Sequence, residues 1–310
     1  MGDQTRVYSG GGMSGKTGFI GLGAMGEPMA LNMIKAGIPL VVYDIDPAKV
    51  EALVTAGAEK AASSREAASS CDRTICLVET TAQAETVICG AGGIIEGVEP
   101  GNIVLCMSTI DPLVAKRMAA ELNAKGVAML DAPISGGTPK AQAGTLAVIV
   151  GGDAETFTKC QDIFDAVGEH AFHIGEQGQG LVMKLINNML GITNTIVLLE
   201  GLTIGAKSGI GLQTMYDVLK VSSGDSAAVD FRVPRIMSGD FTPGGTMDIV
   251  YKDQELITAY AKDIGVPTFM ANVSQQIYQM ARTAGLNKED SSAVIKIYEQ
   301  LADVSVVGRK

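Results

Sequence analysis

The chain has 310 residues, 46% hydrophobic and 19% charged, with 38 glycines and no tryptophan; this suits about two ordered domains and excludes a disordered chain. Its net charge of −10 and pI near 4.8 argue against nucleic-acid or membrane-surface binding, since both need a basic face. The five cysteines (Cys71, Cys76, Cys89, Cys106 and Cys160) form no C-x-x-C pair, so they read as reduced, mostly buried thiols of a cytoplasmic protein.

The first dozen residues are polar, so no secretory leader is expected, and Met13 is as good a start as Met1. Gly10 to Thr17 fits the phosphate-binding pattern G-x-x-x-x-G-K-[ST]. That pattern works between a strand and a helix, whereas here an apolar strand follows the lysine at once, so it reads as chance composition.

From Thr17 to about Gly175, apolar runs at 18–22, 39–43, 73–78, 102–107, 127–130, 146–150 and 171–174 alternate with helix-length amphipathic stretches. This predicts an α/β domain over 13–178, a Rossmann-like doubly wound parallel sheet with helices on both faces. Asp46 before Pro47 marks one helix start clearly. After Gly180 the strands stop, and helical patterns cover 181–207, 212–220, 246–264, 268–284 and 289–303. Residues 179–310 are therefore expected to form an all-α domain joined to the first by a long helix. Leu181 to Ala206 is long and apolar enough to span a bilayer, but it carries Lys184, Asn187, Asn188, Asn194 and Glu200. A charge at mid-bilayer costs about 2.5 to 3.5 kcal/mol, so a buried interdomain helix is the better reading.

Gly21-Leu22-Gly23-Ala24-Met25-Gly26 follows a strand and opens a helix, the G-x-G-x-x-G spacing that receives a dinucleotide pyrophosphate. The second strand ends at Asp44, 18 residues beyond Gly26, where an acidic side chain meets the adenosine ribose. A plain glycine turn with a capping aspartate is the alternative. With no basic residue beside Asp44, NAD is expected rather than NADP.

For proton transfer the sequence offers only two histidines, His170 and His173, neither with a carboxylate partner in sequence, so neither histidine catalysis nor a histidine-rich metal site is expected. Lys184 and Asn188 lie four apart near the start of the long helix and share one face. An amine in a dry pocket has its pKa lowered and can serve as base in alcohol oxidation and as acid in carbonyl reduction. A snorkelling lysine with two solvated amides fits the same spacing equally well. Ser135, Gly136 and Gly137, in DAPISGGT, follow a predicted strand and could cradle a carboxylate, or could simply turn.

Taken in order, FIGLGAMGEPMALNM, DAPISGGTPKAQAGTL, GQGLVMKLINN and YKDQELITAYAKDIGVP closely resemble the β-hydroxyacid dehydrogenase family over nearly the whole chain from about residue 17 to about 306. The resemblance implies that Lys184 is the catalytic lysine, Asn188 the substrate-orienting asparagine, and Ser135, Gly136 and Gly137 the substrate loop. It also implies that Thr109 and Lys252 lie beside the cofactor, as does the segment at Val78. It further implies small carboxylate substrates bearing an alcohol or aldehyde, no metal, and a homodimer or homotetramer. The chain departs from the family pattern at Val78-Glu79-Thr80, where Leu-Pro and then asparagine are usual. It departs again at Asp225, where arginine is frequent and where an acidic residue disfavours a second substrate carboxylate. Two other readings remain: a short-chain dehydrogenase using Tyr216 and Lys220, which fit Y-x-x-x-K, and a non-catalytic NAD-binding protein on the same fold.

Overall fold

A computed structural model describes residues 15–307; Gly10 to Ser14 of the phosphate-loop-like string and both candidate start methionines lie outside the described residues. In chain order, β1 (Thr17–Ile20), α1 (Gly26–Lys35), β2 (Leu40–Tyr43), α2 (Pro47–Thr55) and β3 (Glu59–Lys60) come first. Next are α3 (Ser64–Ser69), β4 (Arg73–Cys76), α4 (Thr81–Cys89), β5 (Ile103–Cys106), α5 (Pro112–Asn123) and β6 (Ala128–Asp131). β7 (Ile134–Ser135), α6 (Gly137–Ala143), β8 (Leu146–Gly151), α7 (Ala154–Lys159), α8 (Gln161–Val167) and β9 (Gly168–Gly175) complete the sheet-bearing part. The long α9 (Gln179–Lys207) leads to α10 (Leu212–Leu219), α11 (Ala227–Ser238), α12 (Met247–Asp263), α13 (Phe269–Thr283), a 3₁₀ turn at Ser291–Val294 and α14 (Ile295–Ala302). The chain forms two compact units that divide at Lys184/Leu185, inside α9.

In the first unit the sheet runs β3-β2-β1-β4-β5-β6, all parallel, the order of a dinucleotide-binding sheet. Alternate strand residues enter opposite cores. Phe19, Val42, Ile75, Leu105 and Leu130 pack on one face, and Ile20, Val41, Cys76, Val104 and Met129 on the other, which is why these strands read as continuous apolar runs. The doubly wound parallel sheet is as expected, and beyond β6 it acquires antiparallel pairings. β8 pairs antiparallel with β6 through Asp131 and Gly151 and with β7 through Ile134 and Val148, and β9 then runs parallel to β8. An apolar run records burial on two faces but carries no direction. Lys16, the lysine of the phosphate-loop-like string, is ion-paired with Glu59 at 2.6 Å, and Thr17 opens a strand rather than a helix. Asp46 caps α2 as expected, its side chain accepting from the Ala48 amide at 3.0 Å.

The second unit is helical. Ile192, Ile196, Leu199 and Leu202 of α9 pack with Val229 and Val233 of α11, Met247 of α12, and Tyr278 of α13. α11 has no counterpart among the sequence-predicted helices, because Pro234 sits inside it. The expectation of a buried α9 holds for one side only: Met183, Ile186, Leu190, Val197 and Ile204 are exposed.

Candidate active site

The glycine turn between β1 and α1 has the geometry its spacing implies. Gly21 adopts φ +96°, and a Cβ there would stand 2.0 Å from the Leu77 carbonyl; only glycine fits. A Cβ on Gly26 would lie 2.0 Å from the Gly21 carbonyl oxygen, so α1 presses directly on the turn. Gly23 differs, since among the described residues nothing beyond its own chain neighbours lies within 4 Å of where its Cβ would be. Packing does not require glycine at position 23, but a pyrophosphate approaching the backbone would. α1 starts without a side-chain cap; within its first turn the Glu27 amide donates to the Gly23 carbonyl at 3.1 Å and Pro28 carries no N–H. The residues present therefore fit a dinucleotide.

Asp44 follows β2 and joins this turn. Its Oδ2 accepts from the Leu22 amide at 2.7 Å and its Oδ1 from the Asp46 amide at 2.8 Å. Spacing foresaw the acidic residue but not that it would brace the glycine turn. The next residue, Ile45, is 89% exposed. At the end of β4, the Val78 amide donates to Ser108 Oγ at 2.7 Å. Thr80, the departure from the family pattern, is the cap of α4: its hydroxyl accepts from the Gln83 amide at 3.2 Å, and Gln83 Oε1 accepts from the Glu79 and Thr80 amides at 3.0 Å each. Thr109, half-buried, lies in the loop after β5. Gly21 to Gly26, Asp44, Val78 and Thr109 thus all belong to the first unit, at the carboxyl ends of β1, β2, β4 and β5, where doubly wound sheets bind ligands.

Ser135 ends β7, and Gly136 and Gly137 follow with φ of +140° and +69°, a bend suited to glycine at both places. Lys184 is the sixth residue of α9 and only 8% exposed. Asn188, one turn later and in the second unit, is held at both ends of its amide. It donates to Asp253 Oδ2 at 2.8 Å and accepts from Asn187 Nδ2 at 3.1 Å. Lys252 Nζ stands 3.0 Å from Asp253 Oδ1. Asn188 and Lys252, two residues singled out by sequence 64 positions apart, therefore converge on one buried carboxylate that sequence reasoning passed over. Its only signal was adjacency to Lys252. Asp131, quoted only as the first letter of DAPISGGT, is also buried, and amides of the residues entering α9 bond to its carboxylate.

The short-chain dehydrogenase reading fails here. Lys220 is paired with Asp230 at 2.6 Å and Asp225 at 3.3 Å, and its hydrogen bond to the Asp230 carboxylate raises its pKa. Tyr216 packs against the helical core.

Comparison with known proteins agrees with this geometry. Residues 16–175 match the family model described as the NAD binding domain of 6-phosphogluconate dehydrogenase, and residues 178–298 match that described as NAD-binding of NADP-dependent 3-hydroxyisobutyrate dehydrogenase. The chain belongs to the β-hydroxyacid dehydrogenase family, and it is a nicotinamide-dependent oxidoreductase of hydroxy acids, acting on the CH–OH group. It is 38% identical to 2-(hydroxymethyl)glutarate dehydrogenase of Eubacterium barkeri, over 94% of this chain and 98% of that one. It is 34% identical to L-threonate dehydrogenase of Cupriavidus necator, over 92% and 97%. A crystal structure of 3-hydroxyisobutyrate dehydrogenase from Salmonella typhimurium superposes with a TM-score of 0.82 at 35% identity, covering 92% of this chain and 100% of that one.

Proposed function

We propose that Lys184 is the general acid/base of this dehydrogenase, and that the substrate is a small 3-hydroxy acid or its semialdehyde. The observation that carries the reading is a lysine only 8% exposed on the first turns of α9, a residue type seldom buried. In the oxidative direction the Lys184 amine takes the proton of the substrate hydroxyl as the carbonyl forms, and in reduction the ammonium returns it. When bound, the nicotinamide accepts or supplies the hydride. Asn188, fixed by Asp253 and Asn187, orients the substrate oxygen, and Ser135 with the Gly136 and Gly137 amides receives the carboxylate. Thr109 and Lys252 serve the cofactor side. NAD is favoured over NADP, because the segment Asp44-Ile45-Asp46 offers no cation to a 2′-phosphate and two negative charges against it. The active protein is a homo-oligomer, a dimer or tetramer.

Lys184→Ala should lower kcat by roughly 10² to 10⁴ while NAD affinity stays near wild type. Loss of NAD binding instead would give the lysine a structural role. The substrate is read from NAD(H) turnover with 3-hydroxyisobutyrate, glycerate, 4-hydroxybutyrate, L-threonate and 2-(hydroxymethyl)glutarate. A chain that binds NAD tightly and turns over none of these or their aldehydes would be a binding protein on the dehydrogenase fold.

A further inference from the structure

The carboxylate of Asp131, at the end of β6, is completely buried, and what it accepts from is backbone and amide N–H. Its Oδ1 accepts from the Gly178 amide at 2.6 Å and from Gln177 Nε2 at 3.0 Å, and its Oδ2 accepts from the Leu181 amide at 2.8 Å. Gly178 immediately precedes α9 and Leu181 lies in its first turn, so these amides include donors that the helix itself leaves unsatisfied. Burial raises the Asp131 carboxyl to about 6, against the opposing pull of the Gly178 and Leu181 amides, so the ionised acceptor is present at neutral pH.

The same point is packed without side chains. Asp131 is the strand partner of Gly151. A Cβ on Gly151 would fall 2.7 Å from both the Asp131 carboxylate and the Gly180 amide nitrogen, and a Cβ on Gly180 would fall 2.5 Å from the Ile149 carbonyl. The start of α9 is thus wedged against the backbone of β8 and tied to β6. Lys184 lies one helical turn beyond Gly180.

We propose that Asp131 is a positioning residue for Lys184: by holding the first amides of α9 against the sheet, it fixes the height and rotation at which the helix presents the amine. The proposal rests on the acid/base reading of Lys184. Two-point acceptance by one rigid carboxylate suits this task, because a helix end held at one point can still roll about it. A misplacement of about 1 Å at a reacting group can cost about 10² in rate.

The test is a double-mutant cycle in the full-length protein, with steady-state kinetics on the best substrate and NAD affinity by NADH fluorescence. Asp131→Asn keeps the volume and one acceptor, and Asp131→Leu keeps the volume and no acceptor. The expected losses in kcat are about tenfold and about a hundredfold, with the NAD dissociation constant within twofold of wild type. In a Lys184→Ala background Asp131→Asn should change kcat by less than twofold, because nothing remains to be positioned. Equal losses in both backgrounds, or wild-type kcat in a folded Asp131→Asn protein, would overturn the proposal. Wild-type kcat in Lys184→Ala alone would instead overturn the acid/base reading on which it stands. If Asp131→Leu does not fold, the asparagine variant carries the test.

Discussion

Asp44 has two tasks that pull in different directions as a target for mutation. In the proposed cofactor site its charge would disfavour a 2′-phosphate, while its Oδ2 holds the Leu22 amide of the glycine turn at 2.7 Å. Removing it leaves that amide without its acceptor, so Asp44→Ala should weaken NAD binding, while for NADP the lost charge offsets part of the same cost. Ile45 has no such second task, being apolar and 89% exposed. Ile45→Arg should therefore raise the NADP/NAD ratio of kcat/KM by tenfold or more, through a guanidinium–phosphate pair, and an unchanged ratio would remove this segment from cofactor selection. The glycines were legible in the sequence because their need is a local backbone one, as the φ of Gly21 shows. Asp131 and Asp253 were not, because their meaning lies in bonds to residues 47, 50 and 65 positions away. A carboxylate that accepts backbone amides looks, in sequence, like any surface aspartate.

Elements were legible where an apolar pattern of one period ran for four residues or more. β3, Glu59–Lys60, is two exposed charged residues, and β7 is two residues beside a glycine pair; both exist only because a longer strand lies next to them. α11 was hidden by Pro234, which ordinarily ends a helix. Besides its apolar packing, α11 is tied down by Asp290, only 1% exposed. It lies 3.2 Å from Arg232 and 3.9 Å from Arg235, both on α11, and accepts from the Ser292 amide at 2.9 Å and hydroxyl at 2.6 Å. Burial pushes the Asp290 pKa up, but the Ser292 hydrogen bonds and the two arginines outweigh it, so the carboxyl ends below its ordinary 3.8. A depressed value means that its stabilisation is complete above the unfolded-chain value and is lost as pH falls through the folded one. Asp290→Ala should cost about 3 kcal/mol at neutral pH, the scale for breaking one side of a buried pair. In urea titrations the gap from wild type should close as pH drops below about 4. A gap that stays constant with pH would mean that Asp290 acts by packing alone.

At the scale of the molecule, composition and the change from strands to helices near Gly180 foretold an α/β part followed by a helical one. Periodicity could not reveal how α9 divides its faces. Its mean apolarity is high all round, yet Met183, Leu190, Val197 and Ile204 are exposed at seven-residue intervals while Leu185, Ile192, Ile196 and Leu199 are buried. A row of apolar side chains exposed along one helix is a surface that a second helix can cover. In the proposed homo-oligomer a second copy of the chain would cover this row, since a two-fold axis would lay identical rows against each other. Covering one such side chain, already partly buried, would be worth less than the ~1.5 to 3 kcal/mol of burial from full exposure. Light scattering should therefore give a mass that is a multiple of the 32.1 kDa chain. Leu190→Glu with Val197→Glu, which puts like charges along the row, should reduce it to one chain while NADH binding persists. A wild-type protein of single-chain mass would remove the homo-oligomer from the proposal, and an assembly untouched by the two glutamates would move its interface to another surface.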